Sequence, residues 1–326
     1  MKKISLTQAL NYYPVCFVKH LLICLALVGL STNLEAQQIP PQRGYTFQGM
    51  LWNPALTGAG DHIEVGAHYA QQWISFPGAP ITAMAYGQLP FSDQRMALGL
   101  ITYLDIAGPF VRAGGQIQYA YKMPLGLTRN DQLSIGLLGR VGRARFDPTQ
   151  VTARESGDEL LSENLTGEME WDFGLGVFYT TSRDLAFVED AFYVGMVVDQ
   201  LRNLTHTYGG DQPIWQGVPH GRFLAGYRKI TYSRCWEPSI YMDLLPGIIP
   251  RVGGNIRYEV DRLFWGQMGA DLTGAVRMGG GYAISLDDYS QRVLLVGLEA
   301  EYVLSPLGRQ QGLSYHVSFA WRIIKN

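Results

Sequence analysis

Charge is scarce in this chain: 17% of its 326 residues are charged and the net charge is −2. Nucleic-acid binding needs a basic face, which so balanced a sequence lacks. Cysteine is scarcer, three in all. Two of these, Cys16 and Cys24, fall in the N-terminal stretch, so Cys235 alone remains beyond it and an internal disulfide framework is excluded. Cys235 reads as an inert thiol in the core or facing lipid. Long apolar runs are missing as well: past Leu30 nothing approaches the roughly 18 consecutive apolar residues of a membrane-spanning helix. The chain has no G-x-S-x-G, no H-E-x-x-H and no Walker loop. No two of His62, His68, His206, His220 and His316 share an element at a metal-ligand spacing, so zinc is not expected. These gaps argue against enzyme chemistry, and no cofactor or metal is expected.

Apolar residues are plentiful, at 47%, with 38 glycines and 19 tyrosines. Disorder is therefore excluded, and many closely packed strands with aromatic boundaries are suggested. Lys2, Lys3, Lys19 and His20 precede the short apolar run Leu21–Leu30, and Asn33-Leu34-Glu35-Ala36 ends on a small residue. This reads as a signal peptide over 1–36, cleaved near Ala36. The rest of the chain is then expected outside the cytoplasm, either soluble or as a membrane barrel, because only helices and closed barrels satisfy the backbone in lipid.

The last strand separates these two. Leu313, Tyr315, Val317, Phe319, Trp321 and Ile323 alternate with Ser314, His316, Ser318, Ala320 and Arg322. A period of two means a strand between two environments. So apolar and aromatic a face, opposite so polar a one, fits lipid outside and a polar lumen inside. The pattern recurs: Met169, Trp171, Phe173, Leu175, Val177 and Tyr179 oppose Glu168, Glu170, Asp172, Gly174, Gly176 and Phe178. Strands are predicted at 62–74, 79–90, 95–106, 110–122, 131–142, 168–180, 191–200, 221–232, 236–245, 250–260, 263–271, 274–286, 292–303 and 313–324. That makes an all-β transmembrane outer-membrane barrel of about 14 antiparallel strands over 62–326. The N-terminal segment 37–61 is expected to be periplasmic and plug-like. A soluble sandwich is the alternative. With periplasmic termini, the two longest connections, 143–167 and 201–220, fall on the outer side, as barrels prefer.

Three constellations stand out. Glu168, Glu170 and Asp172 form an acid ladder on the lumenal face, expected to pair with Arg112 and Arg140. It is either a structural network or a ligand site. Ser314, His316 and Ser318 share one face, but neighbours two apart on a strand are too distant for a base and its nucleophile without help from another strand. Tyr208 and Trp215, in the long loop 201–220, are a candidate partner-contact pair, or part of a lid over the lumen.

The stretch Trp52–Thr82 carries a resemblance. Asn53-Pro54-Ala55, Gly58, Gln72-Trp73 and Gly78-Ala79-Pro80 come in the order seen in the PorP/SprF family, outer-membrane proteins of the type IX secretion and gliding systems of Bacteroidota. Gly226-Tyr227 and Glu237-Pro238-Ser239 also resemble that family's mid-chain pattern. Two departures mark a divergent member: Ala70 where an arginine is usual, and Ser314-Tyr315-His316 in place of a Ser-His-Glu-like triplet. The resemblance implies a non-enzymatic barrel that assists export or surface anchoring of a partner carrying a type IX C-terminal signal, or that associates with periplasmic type IX components. The alternative is a porin-like channel for small solutes. The Asn-Pro-Ala turn is expected to fix the N-terminal segment at the barrel mouth.

Overall fold

The computed structural model describes residues 48–60, 62–91, 95–151, 165–182, 190–202, 205–207, 213–216, 218–287, 291–304 and 306–324. Its strands are β1 (His62–Gln71), β2 (Ile81–Pro90), β3 (Met96–Ala107), β4 (Phe110–Met123), β5 (Gln132–Phe146), β6 (Leu165–Thr180), β7 (Ala191–Asp199), β8 (Thr205–Thr207), β9 (Pro213–Gln216), β10 (His220–Thr231), β11 (Arg234–Leu244), β12 (Arg251–Val260), β13 (Phe264–Asp271), β14 (Ala275–Ser285), β15 (Arg292–Val303) and β16 (Ser314–Ile324). Fourteen of them, all but β8 and β9, close one antiparallel barrel. The seam that closes it joins β1 to β16, from His62 opposite Ile324 to Gln71 opposite Tyr315. A closed ring leaves no open sheet along its length, which is the condition for spanning lipid with strands.

The burial pattern is inverted relative to a water-soluble core. Val65, Ile117, Leu175, Ile240 and Leu298 stand on the outer surface, each more than half exposed, while Glu64, Gln118, Lys122, Asp199, Glu237 and Glu301 are buried inside. In water such an outer belt would forgo about 25 cal/mol for every Å² of apolar surface, and in hydrocarbon it forgoes nothing. This arrangement is a membrane barrel of the outer-membrane type, and the sandwich is set aside. No helix among the described residues is long and apolar enough to cross a membrane.

Fourteen strands were expected and fourteen form the wall, with differences at their ends. β1 stops at Gln71 instead of continuing past Trp73, because the chain turns there. Trp73 has φ 51°, the Gln72 N–H donates to Pro80 O at 2.9 Å, and the Trp73 N–H donates to Ser314 Oγ. β11 begins at Arg234, two residues before its predicted start, after a tight turn in which Tyr232 takes φ 56°. Cys235 therefore lies in a strand and is buried. β5 and β6 run longer than predicted, and their register shifts between Arg143 and Arg145. Loop 201–220 holds the small hairpin β8–β9, and the connection before β16 holds the helix Pro306–Gln311. The long connections after β5 and β7 lie at the end opposite the chain termini.

Candidate functional site: the lumen and its insert

Residues 48–60 lie inside the barrel. Their local form follows from the sequence. Asn53 caps the 3-10 turn Pro54–Leu56 with its side chain, accepting from the Ala55 N–H at 2.9 Å, and Pro54 sits at the first helical position, where its missing N–H costs nothing. Before it comes the short helix Gly49–Trp52, with Met50, Leu51 and Trp52 buried.

The insert reaches the wall on several sides. Met50 and Leu51 pack with Tyr86 and Ile101. Trp52, Ala55 and Leu56 pack with Phe178, Tyr193, Val197, Leu224 and Tyr241. Gln48 Nε2 donates to Ala67 O and Phe319 O, on β1 and β16. Asn53 Nδ2 donates to Val177 O and Met196 O, both at 3.2 Å, and so bridges β6 and β7. Thr57 Oγ1 donates to Gln118 Oε1 at 2.7 Å, and Gln118 Nε2 donates to Met50 O at 3.1 Å. The Gly58 N–H donates to Gln88 Oε1 at 2.7 Å, and Lys122 Nζ donates to Gly58 O. Of these wall positions Gln88, Gln118 and Lys122 lie toward the end that carries the termini.

Glycines make room for this approach. A Cβ on Gly136 would stand 2.2 Å from Ala55 N, and one on Gly176 would stand 2.0 Å from Asn53 Oδ1. Gly58 itself takes φ +62°, and a Cβ there would meet Ala97 Cβ at 2.4 Å. Backbone that must come this close to a wall requires glycine.

The remaining lumen carries paired charge and a sizeable space. A cavity of about 290 Å³ separates the insert from the β10–β16 wall, lined among others by Met50, Leu56, Trp265 and Leu295. Arg228–Glu237 (3.1 Å) and Arg257–Glu259 (2.9 Å) lie along it. Toward the opposite mouth Asp199 gathers Arg222 (2.7 Å), Arg140 (3.6 Å) and His220 (3.8 Å), and Arg251 joins Asp271 and Glu301. Buried ions paired this way avoid the cost of a lone charge in a dry interior.

The residues singled out in the sequence are placed as follows. Asn53, Pro54, Ala55 and Gly58 sit within the insert. Gln72, Trp73, Gly78, Ala79 and Pro80 form the compact β1–β2 turn at the far mouth, where Gly78 (φ +72°) accepts from the Gly108 N–H of the next turn. The two halves of the motif thus hold different places, one in the lumen and one at its rim. Arg140 donates to Gln116 Oε1 and pairs with Asp199. Asp172 accepts from the Arg202 N–H at 3.0 Å, while Glu168 is exposed on β6. Arg112 and Glu170 face the same interior, both near the Tyr103 hydroxyl. Ser318 meets a histidine, but it is His68, at 2.9 Å across the β1–β16 seam. Ser314 Oγ is taken up by the Trp73 N–H. Tyr208 lies outside the described residues, and Trp215 is placed in β9. Gln88, Gln118 and Lys122, which grip the insert, were not singled out. Their signal in the sequence was polar residues at inward positions among apolar neighbours.

A family model described as "Type IX secretion system membrane protein PorP/SprF" matches residues 34–321. No match is found among curated proteins. Among solved structures, the chain is similar to the CymD monoaromatic hydrocarbon channel, at 11% identity over 86% of this chain and 93% of that one, TM-score 0.48. It is also similar to the Ralstonia pickettii toluene transporter TbuX, at 10% identity over 85% and 93%, TM-score 0.48, and to the P. putida toluene transporter TodX, at 8% identity over 86% and 95%, TM-score 0.48.

Proposed function

The chain belongs to the PorP/SprF family of type IX secretion membrane proteins, and from that premise we propose that it is a non-enzymatic outer-membrane barrel that assists export or surface anchoring of a partner protein. The partner is a secreted or cell-surface protein carrying a type IX C-terminal signal, and periplasmic type IX components are further contacts. The observation that carries this reading is the insert: residues 48–60 lie across the lumen, bonded to β1, β2, β4, β6, β7 and β16. A barrel occupied by its own chain suits holding a protein better than passing solutes. In this reading 37–61 is the periplasmic plug and the long connections after β5 and β7 face the cell exterior.

The porin-like alternative keeps one supporting observation, the cavity of about 290 Å³ beside the insert. Gentle detergent extraction from the native membrane, affinity capture and mass spectrometry separates the two. A large secreted protein or type IX components should co-purify in near-stoichiometric amount. Recovery of bare barrel alone would sink the holding role.

A further inference from the structure

β6 stands taller than the strand beside it. Its 16 residues pair with β5 along their whole length, up to Leu165 opposite Phe146. With β7 it pairs only from Leu175 to Thr180. The chain leaves the wall after Asp199, where Gln200 takes φ 56°. Two last bonds close the step: the Leu201 N–H donates to Phe173 O, and the Arg202 N–H to Asp172 Oδ1. The Arg202 guanidinium then stacks over the Trp171 ring at 4.0 Å. The hairpin that follows pairs β8 with β9 and not with the wall. Among the described residues, no strand pairs with Leu165–Trp171 on this side.

A bare strand edge cannot sit in hydrocarbon, because its N–H and C=O groups would have no partner there. The overhang therefore stands beyond the bilayer, at the mouth opposite the termini. Proline and lysine, common on blunted edges, are missing from Thr166-Gly167-Glu168-Met169-Glu170-Trp171, whose charged residues are two glutamates. Its side chains alternate. Met169, 75% exposed, and Trp171 stand on the outer face. Glu168 and Glu170 stand on the other.

We propose that the β6 edge from Leu165 to Trp171 is a docking edge, on which an extended segment of the partner protein adds as a further strand. The inference rests on the reading that this barrel holds a polypeptide, and it names where and by what chemistry. Main-chain bonds supply the attachment and alternate side chains the selectivity. The partner strand carries a basic residue opposite the exposed Glu168 and an apolar one opposite the exposed Met169. A second copy of this chain fits poorly, because antiparallel pairing of the edge with itself brings glutamates together, and like charges on opposed strands repel.

The test compares hydrogen exchange in barrel captured from the native membrane with its partner and in the same barrel stripped of it. Amides of 165–171 should exchange at least about tenfold slower in the complex, in an alternating pattern, since every second N–H of a strand faces one edge. A partner that co-purifies while these amides are unchanged overturns the docking edge and leaves the holding role intact. If no partner co-purifies, both fall. Glu168→Pro and Met169→Pro serve as a second check, because only one of the two removes an outward N–H. Retention of the partner should fall at least about tenfold in the variant whose thermal unfolding stays like that of the parent, and equal retention in both contradicts the proposal.

Discussion

At the scale of single residues, Asn53 carries the most. It is fully buried, caps the turn that follows it and donates to two strands at once. Truncating it strips partners from Ala55 N, Val177 O and Met196 O in a dry setting, where each lost bond is worth about 1–3 kcal/mol. Asn53→Ala should lower the stability of the folded barrel by about 2 kcal/mol in urea unfolding, and should expose the Gly49–Trp52 region to limited proteolysis. Unchanged cleavage would show that the residue does not hold the insert. The Asn-Pro-Ala signature was legible in the sequence as a cap followed by a proline-led turn. Its bonds to Val177 and Met196 were not, because they join residues 124 and 143 positions apart and nothing local encodes that distance.

At the scale of elements, alternation spelled out the wall nearly strand by strand, because each strand separates lipid from lumen and a period of two is the only pattern that serves both faces. What it hid were the ends. Left-handed residues such as Trp73 and Tyr232 stop or start strands through backbone geometry, with no change in hydrophobicity. It also hid the pairing of lumenal charges. Arg140, expected beside the acid ladder, reaches Asp199 two strands away through the curvature of the barrel. The β4–β5 turn offers an element-scale test. Burial works to raise the Asp131 carboxyl, but N–H groups of Leu127, Gly126 and Thr128 bond to it and hold it below the ordinary value of 3.8. A depressed carboxylate contributes stability above its unfolded pKa, and that contribution is lost as pH falls through the folded one. The melting-temperature advantage of the parent over Asp131→Asn should therefore be constant from about pH 5 to pH 8 and shrink below about pH 3.8. An advantage that persists undiminished at pH 2.5 would rule the carboxylate out as its source.

At the scale of the whole molecule, fourteen strands make a ring, and the ring is occupied by the chain that precedes it. The ring was legible from alternation and from the two long connections at one end. The insert was legible only as a segment too rich in Phe47, Met50, Leu51 and Trp52 to be a tether. The contacts that seat it, from Gln88, Gln118 and Lys122, emerge only when the wall is closed. Secretion-associated holding and solute conduction both tolerate a polar lumen, so composition does not separate them. Occupancy of the lumen does. The most direct measurement is single-channel recording of the purified full-length barrel in planar bilayers. The account expects a silent membrane, with no steady open level in the parent protein. A stable conductance of the size shown by open barrels with this many strands would contradict it.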